Sequence, residues 1–369
     1  MADLAVNLKT QGIKYAGSKL KIIPRICRLF EKMNGVETVL DGFSGTTRVS
    51  QAFSSMGYVV TCNDISTWSY VFGVCYLKSK SERQAYTDLI HHLNNVKPCS
   101  GWFTEHYGGG VNDGNSVQED GFKKPFQIHN TQKLDAIRDE IDRLKLSEIE
   151  HCVALTSLIL ALEKVDNTLG HYVSYLKNWS ARSCGELRLE IPEMRVNEQV
   201  HEIIKGDVFD AMRGRHFDAC YFDPPYGANN VKMPPSRVRY ASYYHLWKTV
   251  ILNDKPALFG AARRRQDSAD TEAYCVFEDF RKDDDDRPLS INAVQRLLVA
   301  ADCRYIVLSY SAGGEKVPDE LLDAVSSAGS YEWINFDYQK NVMAGMRWRN
   351  EWVDDNKKIN NEHLFLIEK

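Results

Sequence analysis

Hydrophobic and polar positions near the start of the chain switch between helix-like and strand-like spacing. Apolar side chains recur at helical intervals over 19–33, and a short apolar run over 37–41 predicts a buried strand. A helical pattern at 48–57 and a second strand pattern at 58–64 follow. This order of strand, turn, helix and strand is typical of a βαβ unit and predicts a parallel sheet.

The alternation is interrupted between about residues 78 and 195. That stretch has glycine-rich polar segments and long helical patterns, such as 132–146. Strand patterns then return at 201–207, 217–222, 303–311, 331–338 and 362–369. We interpret the chain as one α/β sheet in two parts, 1–77 and 196–369, separated by a largely helical insertion at 78–195.

Composition is that of an ordinary globular protein, with 369 residues, 43% hydrophobic and 26% charged. The net charge of −4 gives no overall sign of a nucleic-acid partner, so any basic surface must be local. The nine cysteines show no CxxC or CxxH spacing, which disfavours a metal site. Neither a signal peptide nor an apolar stretch of about 20 residues is present, so we expect a cytoplasmic protein without metal or membrane contact.

The rarest motif is Asp223-Pro224-Pro225-Tyr226, which directly follows a predicted strand. Ligands of open α/β sheets bind beyond the carboxyl ends of the strands. The prolines fix the backbone and leave carbonyl groups that accept hydrogen bonds. A carboxylate, a rigid carbonyl and an aromatic ring together suit a planar ring that carries an amino group. A proline turn capped by an aspartate is the purely structural interpretation.

Two other predicted strands also end in an acid, Asp41 and Asp64. An acid at the end of the second strand of a βαβ unit can accept hydrogen bonds from ribose hydroxyls. Gly45, in the turn after Asp41, lets a ligand approach the backbone closely. Because this turn lacks the GxGxxG pattern, a nucleoside cofactor without a pyrophosphate fits better than NAD. Each acid alone is better explained as a helix cap or turn residue.

Five segments carry a family resemblance. KYAGSK at 14–19, DGFSGTTRVSQAF from Asp41, Asp64, KGD at 205–207 and YFDPPYG at 221–227 occur in this order. The chain thereby resembles the Dam-type, α-group adenine-N6 DNA methyltransferases, especially the FokI-methylase-like branch. The resemblance spans nearly the whole chain and thins over 78–163 and 269–288. It departs from the family at Thr47, where a second glycine is frequent.

The resemblance implies a Rossmann-like sheet that binds S-adenosylmethionine over its strand ends. It implies that Asp64 binds the ribose hydroxyls, that Asp207 lies near the adenine amino group, and that Asp41 or the following turn faces the methionine moiety. The residues implied to bind the cofactor are Tyr15, Lys19, Asp41, Phe43, Gly45, Asp64, Asp207 and Asp223.

The resemblance also implies methyl transfer to an adenine that has left the duplex, because the amino group of a paired base is occupied. Asp223 and the Pro224 carbonyl would accept hydrogen bonds from that amino group, and Tyr226 would stack on the ring. This arrangement directs the nitrogen lone pair at the sulfonium methyl group. Positioning and acceptor electrostatics then drive the transfer, without a covalent nucleophile.

A local basic segment follows the motif. Between residues 228 and 265 there are eight lysines and arginines against the single acid Asp254, and aromatic residues lie among them. Such a segment can bind phosphates, although an ordinary basic amphipathic helix has the same composition. The predicted DNA-binding residues are Lys232, Arg237, Arg239, Arg263, Arg264 and Arg265. The insertion at 78–195 is large enough to recognise a target sequence.

Three functions fit these patterns. The first is site-specific adenine-N6 methylation of double-stranded DNA, with a cognate restriction endonuclease acting separately. The second is methylation of adenine in RNA, or of another exocyclic amine or amide such as cytosine N4, because the motif recognises geometry rather than base identity. The third is a DNA-binding regulator with an inactive methylase fold, which the intact Asp223 and Tyr226 disfavour.

Overall fold

The computed structural model describes residues 8–111, 113–225, 239–269, 275–279, 281–311, 317–338 and 360–369. The strands are β1 Thr38–Asp41, β2 Val59–Asp64, β3 Gly108–Gly109, β4 Phe126–Gln127, β5 Glu202–Lys205, β6 Phe217–Phe222, β7 Leu258–Phe259, β8 Arg264–Arg265, β9 Cys303–Ser311, β10 Ser330–Tyr338 and β11 Asn360–Glu368. The helices are α1 Ile23–Glu31, α2 Arg48–Ser55, α3 Thr67–Leu77, α4 Thr87–Asn95, α5 Trp102–Tyr107, α6 Ile128–Arg143, α7 Glu148–Val165, α8 Val208–Met212, α9 Arg239–Tyr243, α10 His245–Leu252, α11 Leu289–Ala300 and α12 Asp319–Ala328.

Seven strands form one sheet in the order β10-β11-β9-β6-β1-β2-β5. The pairs β9–β6, β6–β1, β1–β2 and β2–β5 are parallel. Strand β11 lies between β9 and β10 and is antiparallel to both. The predicted α/β, Rossmann-like fold is therefore confirmed, and each strand predicted from the apolar pattern is present in this sheet.

The central strands are apolar because helices cover both faces of the sheet. Val39 and Leu40 of β1 and Ala219 and Cys220 of β6 are fully buried, as expected for parallel strands in the middle of a sheet. Asp41 is in register with Cys62 on one side and Tyr221 on the other. The carboxyl ends of β1, β2 and β6 therefore meet at the same edge of the sheet.

The segment predicted as an insertion is largely helical and is packed onto the sheet. Its helix α7 lies against α3, and one hydrophobic core includes Phe72 of α3, Ile137 of α6, Leu155 of α7 and Trp247 of α10. The boundaries at 78 and 195 stay a prediction, since this shared core does not define where a separate domain would begin.

All nine cysteines are free thiols. Within the ranges given above, histidine, cysteine and acidic side chains form no group of three that could hold a metal ion. Among the helices described, none is long and apolar enough to cross a membrane.

Candidate active site

A cavity of about 500 Å³ opens at the carboxyl ends of the parallel strands. Its walls include residues that follow four of them within two positions: Phe43 after β1, Ile65 after β2, Asp207 after β5 and Asp223 after β6. Tyr15 and Tyr240 close another side. Six of the eight predicted cofactor residues line this cavity: Tyr15, Phe43, Gly45, Asp64, Asp207 and Asp223.

The turn after β1 is tied to the end of β2 through Asp64. The Asp64 Oδ2 atom accepts a hydrogen bond from the Gly45 amide at 2.8 Å, and its Oδ1 accepts one from the Ser66 amide at 2.8 Å. Gly45 has a φ of +52°, and a Cβ there would lie 3.2 Å from the Tyr15 ring. Burial raises the pKa of Asp64 above its ordinary value. The turn thus needs glycine both for its backbone shape and for contact with Tyr15.

Thr47 keeps a glycine-like backbone without being glycine. Its φ is +62°, in the left-handed region that strains a β-branched residue, and its side chain is fully buried. The Gln51 amide group donates a hydrogen bond to Thr47 Oγ1 at 3.2 Å, which helps to hold this conformation. The departure from the family pattern therefore preserves the turn.

Tyr15 is held by a stack of aromatic rings. Its ring centroid lies 4.7 Å from that of Tyr244 and 5.3 Å from that of Tyr240, and Tyr244 stacks in turn on Trp247 at 4.2 Å. The Ala16 amide donates to the Tyr244 hydroxyl at 2.6 Å. Aromatic residues in this basic segment suggested a nucleic-acid surface, but Tyr244 and Trp247 are buried. They hold Tyr15 in the cavity wall instead.

Lys19 joins two acids behind the cavity wall. Its ammonium lies 3.0 Å from Asp223 Oδ1 and 2.8 Å from Glu362 Oε1, and the side chain is 8% exposed. Burial disfavours the charged amine, but the two carboxylates outweigh that effect and raise the pKa of Lys19 above its ordinary value. Sequence reasoning missed Glu362, because an acid in an apolar strand pattern carries no motif. Its one signal was a charge at the start of that strand pattern.

Asp41 lies beneath the turn rather than in the cavity wall. It is 1% exposed and accepts a hydrogen bond from the Ser50 hydroxyl at 2.5 Å. Burial raises the pKa of Asp41 to about 7, although the Ser50 hydrogen bond lowers it, and the nearby charge of Asp223 raises it further. The structure thus separates Asp41 from the predicted residues that line the cavity.

Asp207 both caps a helix and lines the cavity. Its Oδ1 accepts a hydrogen bond from the Phe209 amide at 2.8 Å, at the start of α8. Next to it are apolar side chains that sequence reasoning missed. Ile65 is 75% exposed, and Phe277 meets Phe43 edge-on at a centroid distance of 5.1 Å. Acids beside apolar walls suit a ligand with a flat ring and polar groups.

This combination of fold and cavity agrees with a family comparison. Residues 15–279 match the family described as D12 class N6 adenine-specific DNA methyltransferase. The chain belongs to the D12 class of N6 adenine-specific DNA methyltransferases. Membership confirms the resemblance seen in the sequence, and it implies a methyl donor and a DNA substrate for the family.

Three curated relatives of this D12 methyltransferase align with 97% of its chain. The type II methyltransferase M.FokI of Planomicrobium okeanokoites is 25% identical over 53% of its own length, and the modification methylase StsI of Streptococcus sanguinis is 28% identical over 52%. The type II methyltransferase M.NlaIII of Neisseria lactamica is 25% identical over 99% of its length. The chain therefore spans about half the length of the first two relatives.

The structure describes four of the six predicted DNA-binding residues, at least in part. Lys232 and Arg237 lie outside the described residues, and for Arg239 the structure describes the backbone at the start of α9. Tyr226, predicted to stack on the target base, also lies outside the described residues. Arg263 is described fully: its guanidinium lies 4.3 Å from the Phe122 ring centroid and 3.8 Å from Asp120 Oδ2, and its side chain is 31% exposed.

Arg264 and Arg265 are engaged within the fold. Arg264 donates to the Ser242 hydroxyl at 2.6 Å. Arg265 is 3% exposed, and its guanidinium lies 2.7 Å from Asp254 and 2.6 Å from Asp267. Two carboxylates thus compensate the charge of Arg265, which leaves it little capacity to bind a phosphate.

Proposed function

We propose that this D12 methyltransferase transfers a methyl group from S-adenosylmethionine to the N6 amino group of adenine at a specific site in double-stranded DNA. The observation that carries the proposal is that Asp223 lines the same cavity as Asp64, Asp207 and the Gly45 turn. An acceptor for an amine and acceptors for a nucleoside therefore face one space.

The polar and apolar groups of the cavity fit S-adenosylmethionine. We propose that Asp64 accepts hydrogen bonds from the ribose hydroxyls and Asp207 from the adenine amino group, while Ile65 packs on the adenine ring. Tyr15, Phe43 and the Gly45 backbone would enclose the rest. When bound, S-adenosylmethionine supplies a methyl group activated by a positively charged sulfur. A wall with several carboxylates favours that positive charge.

Asp223 and Pro224 would orient the target base. The Asp223 carboxylate and the Pro224 carbonyl accept hydrogen bonds from the N6 amino group, which leaves the nitrogen lone pair free to attack. The prolines fix both acceptors before the base arrives, so little reorganisation is needed at the moment of transfer. Tyr226 would stack on the base once it has left the duplex.

We propose that the segment 78–195 recognises the DNA sequence and that basic side chains bind the phosphates. Support comes from hydrogen bonds that join this segment to the basic one. Tyr107 donates to the Arg263 carbonyl at 2.7 Å, and Tyr175 donates to the Ala262 carbonyl at 2.7 Å. The proposed phosphate contacts are Lys232, Arg237, Arg239, Arg263 and Arg264.

The names of the relatives suggest a biological role. Modification methylases and type II methyltransferases occur among them. We propose that this enzyme protects DNA in the cytoplasm against a separate endonuclease that cleaves the same site.

Tritiated-methyl transfer from S-adenosylmethionine to unmethylated genomic DNA, with total RNA in parallel, tests the proposal. Nucleoside analysis should recover the label as N6-methyldeoxyadenosine. Label found in RNA alone, or as N4-methyldeoxycytidine, would move the activity to another substrate. No label in any nucleic acid would contradict the proposal.

The role of Asp223 is tested by Asp223→Asn, which keeps the shape of the side chain but removes its charge. We expect the rate of methyl transfer to fall at least about a hundredfold, the scale of losing a preorganised electrostatic contact. Binding of S-adenosylhomocysteine, measured by calorimetry, should persist. Asp210→Asn is the matched control, since Asp210 forms an exposed ion pair with Arg213. Normal turnover by Asp223→Asn would contradict the assigned role.

A further inference from the structure

Glu362 shares the buried ammonium of Lys19 with Asp223. The two contacts have similar lengths, 2.8 Å to Glu362 Oε1 and 3.0 Å to Asp223 Oδ1. The side chain of Glu362 is 10% exposed, that of Lys19 8% and that of Asp223 15%. Water therefore contributes little to the stability of the ammonium, and the two carboxylates must compensate its charge.

The contact between Lys19 and Asp223 competes with the proposed chemistry. A carboxylate can accept several hydrogen bonds, but the ammonium at Asp223 Oδ1 draws on the same negative charge and makes Asp223 a weaker acceptor for the target amine. An ammonium bound to Asp223 alone could not loosen this contact without becoming a buried, uncompensated charge, which is costly. A second carboxylate removes this difficulty, because the ammonium can stay bound to it.

We infer that Glu362 is a positioning residue that retains the Lys19 ammonium while Asp223 engages the target amine. The inference rests on the proposed function. Glu362 does not touch the substrate in this scheme and acts through Lys19.

The position of Glu362 in the sheet suits this role. It lies on β11, which is bonded to a neighbouring strand on each side, and its backbone is in register with Ser311 of β9. The Ser309 hydroxyl donates a hydrogen bond to Glu362 Oε1 at 2.9 Å, the same oxygen that contacts Lys19. Both the backbone and the side chain of Glu362 are thus fixed, so the ammonium has a stationary partner.

The first test is Glu362→Gln, which removes the charge and keeps the size. We expect kcat for DNA methylation to fall about tenfold or more, the scale of one charged hydrogen bond. The Kd for S-adenosylhomocysteine should stay within about twofold, showing that the cavity is intact. Glu368→Gln is the matched control, because Glu368 lies on the same strand in an exposed ion pair with Arg304. It should leave kcat unchanged.

A double-mutant cycle with Lys19→Met separates positioning from a general structural role. If Glu362 acts through Lys19, Glu362→Gln causes no further loss of single-turnover rate when Lys19 is already Met. A structural role would give the same loss in both backgrounds and would overturn the inference. Glu362→Asp, which restores the charge, should recover part of the rate.

The outcomes distinguish this inference from the proposed function. A wild-type protein that methylates no DNA contradicts the proposed function itself. An active wild type with an equally active Glu362→Gln variant contradicts the inference alone. Ser309→Ala gives a second check that leaves the charge in place: with one hydrogen bond to Glu362 removed, kcat should fall by less than in Glu362→Gln.

Discussion

At the scale of single residues, the cavity depends on a close approach between Gly17 and Tyr240. Gly17 has a φ of +76°, and a Cβ at this position would lie 2.8 Å from the Tyr240 hydroxyl oxygen. Tyr240 stacks on Tyr15, and both line the cavity. A side chain at residue 17 would therefore strain the backbone and also displace one wall of the site.

We predict that Gly17→Ala weakens the binding of S-adenosylmethionine by about tenfold or more, as measured by calorimetry, because the Tyr15–Tyr240 pair must shift. Gly35→Ala is a matched control: Gly35 has a φ of +70°, but a Cβ there would have no atom within 4 Å. It should cost about 1–2 kcal/mol of folding stability through backbone strain and leave the Kd unchanged. Equal Kd values for the two variants would contradict the role of Gly17.

At the scale of elements, helix α2 holds the segment that brings Tyr15 to the site. The Arg48 guanidinium donates to the carbonyl groups of Thr10 at 2.6 Å and Gly12 at 2.8 Å. The side-chain amide group of Gln51 donates to the Gln11 carbonyl at 2.8 Å. Because α2 also begins directly after the Gly45 turn, one helix positions two parts of the cavity wall.

Arg48→Met should raise the Kd for S-adenosylmethionine several-fold, about three- to tenfold, although Arg48 does not line the cavity. The lost hydrogen bonds free the segment 10–12, and Tyr15 is less firmly placed. Lys32→Met serves as the control, since Lys32 forms an exposed ion pair with Glu332 and does not line the cavity. An unchanged Kd in Arg48→Met would show that the segment is held by other contacts.

The sequence was sufficient to predict the seven strands of the main sheet, but not the short strands β3, β4, β7 and β8 or every contact between elements. Local apolar patterns identified the strands ending at Asp41, Asp64 and Phe222, because burial in a parallel sheet leaves a continuous apolar run. The placement of β11 between β9 and β10 depends on pairing between distant segments, which no local pattern encodes. The contact of Glu362 with Lys19 was hidden for the same reason.

At the scale of the whole molecule, hydrogen bonds join the segment 78–195 to the part of the basic segment within 239–265. Arg138 of α6 donates to the carbonyl of Val250 at 2.6 Å, and the Tyr172 amide donates to the Tyr243 carbonyl at 2.8 Å. Charge counting alone grouped Arg263 with Arg265, but their surroundings differ. Composition gives the number of cations, whereas the fold decides which of them are buried in close ion pairs, as Arg265 is, and which stay partly exposed, as Arg263 does.

We predict opposite effects for two neighbouring arginines. Arg265→Ala should lower the free energy of unfolding by about 1–3 kcal/mol in denaturant titrations, because Asp254 and Asp267 lose their contacts with the buried guanidinium. Arg263→Ala should change the free energy of unfolding little. It should reduce the slope of log K for DNA binding against log salt concentration by about one. A reduced salt dependence in Arg265→Ala without a loss of stability would contradict the structural role of that residue.

The ion-pair trio of Lys19, Asp223 and Glu362 also has a consequence for folding. It joins three widely separated parts of the sequence, so no short contiguous segment can build the site. Contacts at such separation form late, since distant strands must first find one another and the entropy of closing long loops must be overcome. During refolding, the proposed methyl transfer should therefore return only after β11 has inserted between its neighbours, which makes activity a reporter of a late step of assembly.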